Sequence, residues 1–268
     1  KRSFFLLGLG LSLKTLNSLE IYSNISQNYR SVTFADISIV NPAFAINPDI
    51  SDERGLTLDL GFRGDIKDLV SLDFTFFNLL YRDRIGFSQK EFKDGSVKSE
   101  RGNIGDAIIY GLESNIDFDL NNLLIKNDNM SLNYFINTAL IDSEYTRSDE
   151  NGVIGKKVEF VPNINLKTGI KYGFENFIFN IQYSYISNQY TDSSNAKEGN
   201  LSGIIGEIPA YSIFDFSFSY LYKKLRLETG INNVANTFYF NRRATGYPGP
   251  GIIPSPPRNT YITLQIKI

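Results

Sequence analysis

The sequence predicts an all-β fold, a transmembrane antiparallel β-barrel wall of about eleven strands. Three observations predict it: polar and apolar residues alternate over membrane-spanning segments, connections are short and long in turn, and no apolar run reaches about 18 residues. Residues 211–222 show the alternation most clearly, with Phe214, Phe216 and Phe218 on one face of a strand. In a membrane wall such a row faces lipid and the polar row faces a wet lumen.

The first two strands are predicted at residues 3–13 and 18–29, joined by a tight turn at residues 14–17. The basic and apolar N-terminus is similar to a signal peptide, but no small-residue cleavage site follows it. Leu9 and Leu11 alternate with glycines, as in a strand. We therefore expect a strand at a cut end.

The third to sixth strands repeat the alternation after a long connection that contains prolines. Their apolar rows are Leu56, Leu58, Leu60 and Phe62 in the third, Val70, Leu72, Phe74 and Phe76 in the fourth (residues 69–86), Ile108, Tyr110, Leu112, Ile116 and Phe118 in the fifth, and Leu132, Tyr134, Ile136 and Leu140 in the sixth. A loop of charged and glycine residues is predicted between the fourth and fifth strands.

The remaining strands are predicted from the same pattern. The ninth strand is residues 211–222, the tenth follows the turn at residues 222–225, and the last is residues 258–268. The apolar rows of the two before them are Ile164, Leu166, Ile170 and Tyr172 in the seventh, and Phe177, Phe179, Ile181, Tyr183 and Tyr185 in the eighth. Long connections follow the even strands. Bacterial barrels have short periplasmic turns and long extracellular loops, so the C-terminus is expected in the periplasm.

Composition argues against several classes of function. The 268 residues contain neither cysteine nor histidine, which removes disulfides, the usual zinc ligands and the commonest general base. We therefore expect no enzyme, no cofactor and no metal site. The net charge of -2 offers no basic surface for nucleic acid.

An open wall of this size would expose two unpaired edges and an apolar outer face. About eleven strands is half of the 22 found in plugged outer-membrane transporters. We therefore expect residues 1–268 to be a single partial domain, the C-terminal half of a 22-stranded barrel without its plug.

Several motifs occur in order along the chain. The weaker ones are YSNISQNYR at residues 22–30, YGLE at 110–113 and VPN at 161–163. More specific are NQYTD at 188–192 with GEIPAY at 206–211, GINNVAN at 230–236, and RRATGYPGPGIIP at 242–254. Together they resemble the C-terminal barrel of TonB-dependent outer-membrane receptors, and more closely the ferric dicitrate receptor branch.

The resemblance implies a fragment of a bacterial outer-membrane receptor that imports a ferric chelate, such as iron(III) dicitrate or a siderophore. The expected partners are the chelate, the TonB complex through a missing N-terminal region, outer-membrane lipid and lipopolysaccharide, and the barrel assembly machinery. The chain ends on Ile268, where such proteins usually end on an aromatic residue. Without a plug and TonB-contacting segment it is not expected to transport by itself.

Candidate ligand contacts are cations and tyrosines near the loops, because a ferric chelate is commonly anionic. They are Arg30, Arg242, Arg243, Arg258, Tyr29, Tyr190 and Tyr247. For each, an ion pair in the lumen wall or facing lipopolysaccharide is an equal alternative. Tyrosines expected to form an aromatic girdle at the membrane interface are Tyr29, Tyr81, Tyr145, Tyr190 and Tyr239.

Three other functions remain open from the sequence. The first is TonB-dependent import of a glycan, cobalamin or another metal chelate. The second is a soluble secreted β-sandwich, which predicts shorter strands and a polar outward face. The third is an outer-membrane enzyme, which would lack the usual histidine base.

Overall fold

The computed structural model describes residues 4–16, 18–38, 44–200, 203–244 and 251–267. Within these ranges, helix is confined to Phe34–Ile37 (α1) and a π-helical turn at Asn121–Ile125, and neither is long and apolar enough to cross a membrane. The strands are Gly8–Leu16 (β1), Leu19–Arg30 (β2), Phe44–Ile46 (β3), Glu53–Ile66 (β4), Val70–Glu91 (β5), Val97–Asp119 (β6), Met130–Arg147 (β7), Ile164–Phe174 (β8), Phe177–Ile186 (β9), Tyr211–Tyr222 (β10), Leu225–Asn232 (β11), Phe240–Ala244 (β12), Gly251–Pro254 (β13) and Asn259–Ile266 (β14).

Eleven of these strands form one continuous antiparallel wall. Its order is β1-β2-β4-β5-β6-β7-β8-β9-β10-β11-β14, so each strand pairs with the next wall strand along the chain. The other three lie in loops, where β3 pairs in parallel with β6 and β12 pairs with β13. In the described residues β1 and β14 end the path. The predicted fold class is confirmed, although the first strand begins at Gly8 rather than at residue 3.

The wall has the two faces that the alternation predicts. On β10 the ring of Phe214 lies 4.7 Å from that of Tyr183, and the ring of Phe218 lies 4.9 Å from that of Phe179. Both partners belong to the adjacent strand β9. The aromatic row therefore packs along its own sheet. On β14, Ile262 remains 78% exposed. A face of this kind is stable against hydrocarbon rather than water.

Short turns connect the strands at one end of the wall. Two-residue turns join Phe174 to Phe177 and Tyr222 to Leu225, and each begins with a residue of positive φ, Glu175 at 49° and Lys223 at 54°. Left-handed backbone matches the twist of antiparallel strands in such turns. The tight turn predicted at residues 222–225 is confirmed.

The loop of charged and glycine residues predicted between the fourth and fifth strands is present, but it is shorter than expected and covers only residues 92–96. The structure instead continues β5 to Glu91 and begins β6 at Val97, with those two residues paired. The hairpin therefore extends well beyond the membrane. The charged residues and glycines of this extension do not alternate with apolar residues, so the sequence pattern did not predict strands there. The extension is supported by β3, which pairs in parallel with β6 at residues 99–101.

A buried apolar cluster lies on the inner face near the long connections. Ala107, Ile109 and Tyr145 point inward from β6 and β7, and Val153 and Val158 of the following loop cover them. The inner face is polar nearer the short turns, where Asp73 and Asn115 are direct cross-strand partners. The loops are thus anchored by hydrophobic burial at one end of an otherwise wet surface.

Candidate functional site

The long connections pack on one another at the end of the wall opposite the short turns. Ser193, between β9 and β10, donates hydrogen bonds of 3.1 Å from its backbone and its side chain to the Phe87 carbonyl. Asn195 accepts a 2.7 Å bond from the Lys157 backbone. The Phe87 ring also meets Phe44 edge to face at 5.5 Å. The loops therefore form one assembly, in which cations could be held in fixed positions.

Arg30 lies in a network of ion pairs. Its guanidinium donates to Asp36 at 2.8 Å and lies 3.8 Å from Glu53, and Arg101 donates to the same Asp36 oxygen at 2.8 Å. Burial would raise the pKa of Asp36, but hydrogen bonds from Thr33 and from both arginines hold that pKa well below its usual range. Arg30 thus has the contacts of a structural cation that ties the end of β2 to the following loop and to β4, and Arg101 ties the same loop to the β5–β6 hairpin through Asp36.

Arg243 on β12 fastens the β9–β10 loop. Its Nη1 donates to the Gly203 carbonyl at 2.8 Å and its Nη2 to the Glu207 carbonyl at 2.9 Å. The guanidinium also lies 5.3 Å from the centre of the Phe240 ring. Burial lowers the pKa of Arg243, and in the described ranges no carboxylate lies within salt-bridge distance of it. An arginine nevertheless stays protonated in proteins, so this is a cation without a counter-charge.

Arg242 and Arg258 present their side chains to solvent. Arg242 adjoins Arg243 on β12, where successive side chains point to opposite sides. Within the part of the chain that the structure describes, Arg242 has neither a hydrogen bond nor an ion pair. Arg258 makes one long bond, from Nη1 to the Val234 carbonyl at 3.4 Å. Counting only contacts between described residues, Arg242 is therefore the candidate cation with the fewest.

The three candidate tyrosines lie in different surroundings. Tyr29 is on the outward row of β2, where its hydroxyl donates to Asp52 and its ring centre lies 4.0 Å from that of Phe4, with the rings tilted by 30°. Tyr190 is half-buried in the β9–β10 loop, and its carbonyl accepts a 2.8 Å bond from Phe160. Tyr247 lies outside the described residues. Among the candidates, Tyr29 and Arg30 are neighbours on β2, and Arg242 and Arg243 are neighbours on β12.

Sequence reasoning missed a buried polar cluster behind the apolar one. The Tyr145 hydroxyl donates to Glu159 at 2.6 Å, and a guanidinium nitrogen of Arg84 lies 4.0 Å from the other Glu159 oxygen. Tyr145 is fully buried, so its assignment to an interfacial girdle is wrong. Tyr81 likewise packs against the inner cluster. The one available signal was the alternation itself, since both tyrosines occupy the positions whose side chains point inward from their strands.

Among the described residues, no group of three or more aspartates, glutamates, histidines or cysteines is arranged to hold a metal ion. The candidate arginines near these loops can bind an anion.

A wall of paired strands with an apolar outer face, a polar inner face and a packed loop assembly at one end is the architecture of an outer-membrane β-barrel receptor. Residues 1–234 match the family model of the TonB dependent receptor-like β-barrel, and the chain belongs to that family. The resemblance predicted from the motifs is confirmed, as is the bacterial outer membrane as its location. The family is one of receptors.

Solved structures share this fold over nearly the whole chain. They include the unliganded ferric citrate transporter FecA (22% identity, TM-score 0.76), the copper transporter OprC (15%, 0.72) and the ferric yersiniabactin uptake receptor FyuA from Yersinia pestis (17%, 0.68). Each alignment covers 97% of this chain, and 38%, 38% and 36% of those proteins respectively. At these identities the likeness establishes the fold alone. The chain spans less than two-fifths of their length.

Proposed function

We propose that this chain is the C-terminal part of the barrel of a receptor that imports an anionic ferric chelate, such as iron(III) dicitrate or a siderophore complex. Residues 1–268 would form one partial domain, completed by further strands and a plug. Energy would come from the TonB complex acting on a segment outside this chain. The barrel assembly machinery would insert the complete protein. The chain's family membership supports this proposal.

The observation that carries the proposal is the Arg242–Arg243 pair. Arg243 is fixed by two carbonyl oxygens of a neighbouring loop, and the adjacent Arg242 is exposed and has no described partner. A guanidinium offers a planar fork of donors that matches carboxylate geometry. Arg243 thereby fixes the β12 backbone that carries Arg242, which reduces the backbone entropy lost when Arg242 binds an anion.

The test is ligand binding and uptake by the complete receptor with Arg242→Ala. Loss of one charge-assisted hydrogen bond should weaken chelate binding about tenfold or more. Lys223→Ala is the matched control, because it removes an exposed cation from a short turn at the opposite end. Radiolabelled ferric citrate and a panel of ferric siderophores are the probes. Unchanged affinity and uptake for every iron source would contradict the proposal.

Arg243→Ala separates positioning from direct contact. We expect greater protease sensitivity of the loop at residues 187–210, because two carbonyl acceptors lose their donor. Arg242→Ala should leave that loop as resistant as in the wild type.

Growth on single nutrient sources distinguishes import of a glycan, cobalamin or another metal chelate from import of iron. If loss of the receptor slowed growth on one of those nutrients but not growth on ferric chelates, those alternatives would be favoured.

A further inference from the structure

Two lysines stand one above the other on the inner face of β8. Lys167 and Lys171 belong to the inward row, because Leu166 and Ile170 of the same strand point outward. Gly169 is the inward position between them, which places the lysines about 14 Å apart at roughly 3.4 Å per residue. Both side chains are exposed, and among the described residues neither ammonium group has a hydrogen bond or an ion pair.

The surroundings of the two lysines are polar but uncharged. Their cross-strand partners on β7 and β9 are amides and a hydroxyl group, Asn137 and Ser184 for Lys167, and Asn133 and Asn180 for Lys171. In β7 and β9, which the structure describes in full, the inward rows contain no carboxylate. Inward carboxylates of β6 and β10 lie two strands away. That is roughly 10 Å, beyond the screening length of about 8 Å at physiological salt, so the lysines are cations without a close counter-charge.

The surface between the two lysines is smooth. Gly169 has no side chain, and the ring of Phe135 on β7 lies over it, since a Cβ at Gly169 would meet Cε1 of that ring at 2.7 Å. Each lysine is a flexible stem that ends in a charged group with three donors. An anion between the lysines therefore meets donors and a flat ring, with no carboxylate beside it to repel it.

The two lysines are spaced along the barrel axis rather than around the circumference of the wall. β8 ends at Phe174, where a short turn joins it to β9. At roughly 3.4 Å per residue and a strand tilt of about 40°, Lys167 lies about 18 Å and Lys171 about 8 Å from the level of Phe174. At its other end β9 leads into the loop that Arg243 binds. The lysines therefore lie below the mouth, on the way to the periplasm.

We propose that Lys167 and Lys171 form a lysine track, two weak binding sites in series that guide the anionic ferric chelate along the inner wall while the plug is displaced. The inference rests on the proposed function, which supplies the anion. The ammonium groups and the neighbouring amides donate to carboxylate or other oxyanion groups of the chelate. Weak sites in series let a solute enter and also leave. Arg242 captures the chelate at the mouth, and the lysine track passes it towards the periplasm.

The test uses the complete receptor with Lys167→Gln and Lys171→Gln together, and the probes are radiolabelled ferric citrate and the panel of ferric siderophores. Equilibrium binding is measured in cells without TonB, and the maximal rate of uptake in energised cells, each per receptor at the cell surface. We expect binding within about twofold of wild type, because the distant mouth is unchanged. We expect uptake to be at least about fivefold slower, since the attraction of unit charges in contact in water corresponds to about that factor.

Two control variants separate charge from other effects of substitution. Lys167→Arg with Lys171→Arg keeps both charges and should import the chelate within about twofold of the wild-type rate. Lys223→Gln with Lys224→Gln removes the same charge from a short turn at the end of β10 and should change neither measurement.

Four results would overturn the lysine track. Equal uptake rates for wild type and the glutamine variant would exclude it and leave the proposed function standing. Import of none of the iron sources by wild type would remove the proposed function and the track with it. Uptake by the arginine variant as slow as by the glutamine variant would show that charge is not the cause. Greater sensitivity of cells with the glutamine variant to a large hydrophilic antibiotic, in the absence of TonB, would show that the lysines hold the plug instead.

Discussion

The Tyr145 hydroxyl on β7 donates a 2.6 Å hydrogen bond to Glu159 in the loop that follows the same strand. Both side chains are buried, and Arg84 of β5 approaches the carboxylate to 4.0 Å. Val153 and Val158 of this loop cover the inner apolar cluster. The polar contact and the apolar cluster together hold the loop at residues 148–163 on the inner face of the wall. An unpaired carboxylate at this depth would be costly.

Replacing Tyr145 by phenylalanine should loosen this loop. The substitution leaves a buried acceptor without its donor, at a cost of about 1–3 kcal/mol. Hydrogen exchange of residues 148–163 in the complete receptor is the measurement. Tyr110→Phe is the control, because Tyr110 is 37% exposed on the outward row and its 3.2 Å bond to Asp142 lies on the face of the wall opposite the loop. Equal protection of the loop in both variants would contradict this role for Tyr145.

Gly86→Ala should disturb the same contact from β5. A Cβ at this position would lie 2.1 Å from Oε1 of Glu159 and 2.9 Å from Cγ1 of Ile104, so the Glu159 side chain must move. Overpacking of this kind costs about 1–3 kcal/mol. The melting temperature of the receptor and exchange in the loop should both report it. Gly10→Ala meets nothing closer than 3.9 Å and should change neither.

Acid should weaken the packing of the loop after β2 through Asp36. Because the pKa of Asp36 is lowered in the folded protein, its ion pairs stabilise the loop above the ordinary carboxyl pKa of about 4. The stabilisation is lost as the pH falls below that value towards the folded pKa. Limited proteolysis between residues 31 and 52 should rise over this range.

Asp36→Asn should show the same protease sensitivity already at neutral pH. Removing one partner of a buried pair costs about 3–5 kcal/mol, and here Arg101 loses its carboxylate, whereas the more exposed Arg30 keeps Glu53 at 3.8 Å. Asp68→Asn, in an exposed short turn, is the matched control. If the loop of Asp36→Asn resisted cleavage as well as that of Asp68→Asn, the ion pairs would not hold it.

The two faces of β10 should respond oppositely to charge. Arginine in place of Phe216 would face hydrocarbon, at a cost of about 2–4 kcal/mol near the bilayer midplane. Arginine in place of Ser217 would face the wet lumen, where Asn180 and Gly230 are its cross-strand neighbours. The fraction of receptor with heat-modifiable electrophoretic mobility should fall for the first variant and remain near wild type for the second. The opposite order would reverse the assignment of the faces.

Most of the wall could be predicted from the sequence because its information is local. A period of two in the side chains defines both the strand and its faces, as Phe214 and Asp215 show. The returns at Glu175 and Lys223 are equally local, since strand, turn and strand lie within a few residues. Antiparallel neighbours then follow from chain order. The family motifs also predicted the class of receptor.

The candidate site could be predicted only in part. The sequence pointed to arginines near the loops, and two of them, Arg242 and Arg243, lie on β12 because they are adjacent in sequence. It did not reveal that Arg243 binds carbonyls about forty residues away, or that Arg30 is paired with Asp36. Partners distant along the chain leave no local pattern. Residue type alone could not separate a structural cation from an available one.

The sequence by itself therefore determined an alternating wall with a lipid face, a lumen face and loops at one end. Only the tertiary structure decided that β5 and β6 continue as a hairpin beyond the membrane and that Tyr145 is buried. The physical reason is that strand register and loop packing arise from contacts between distant segments, whereas side-chain alternation repeats every two residues.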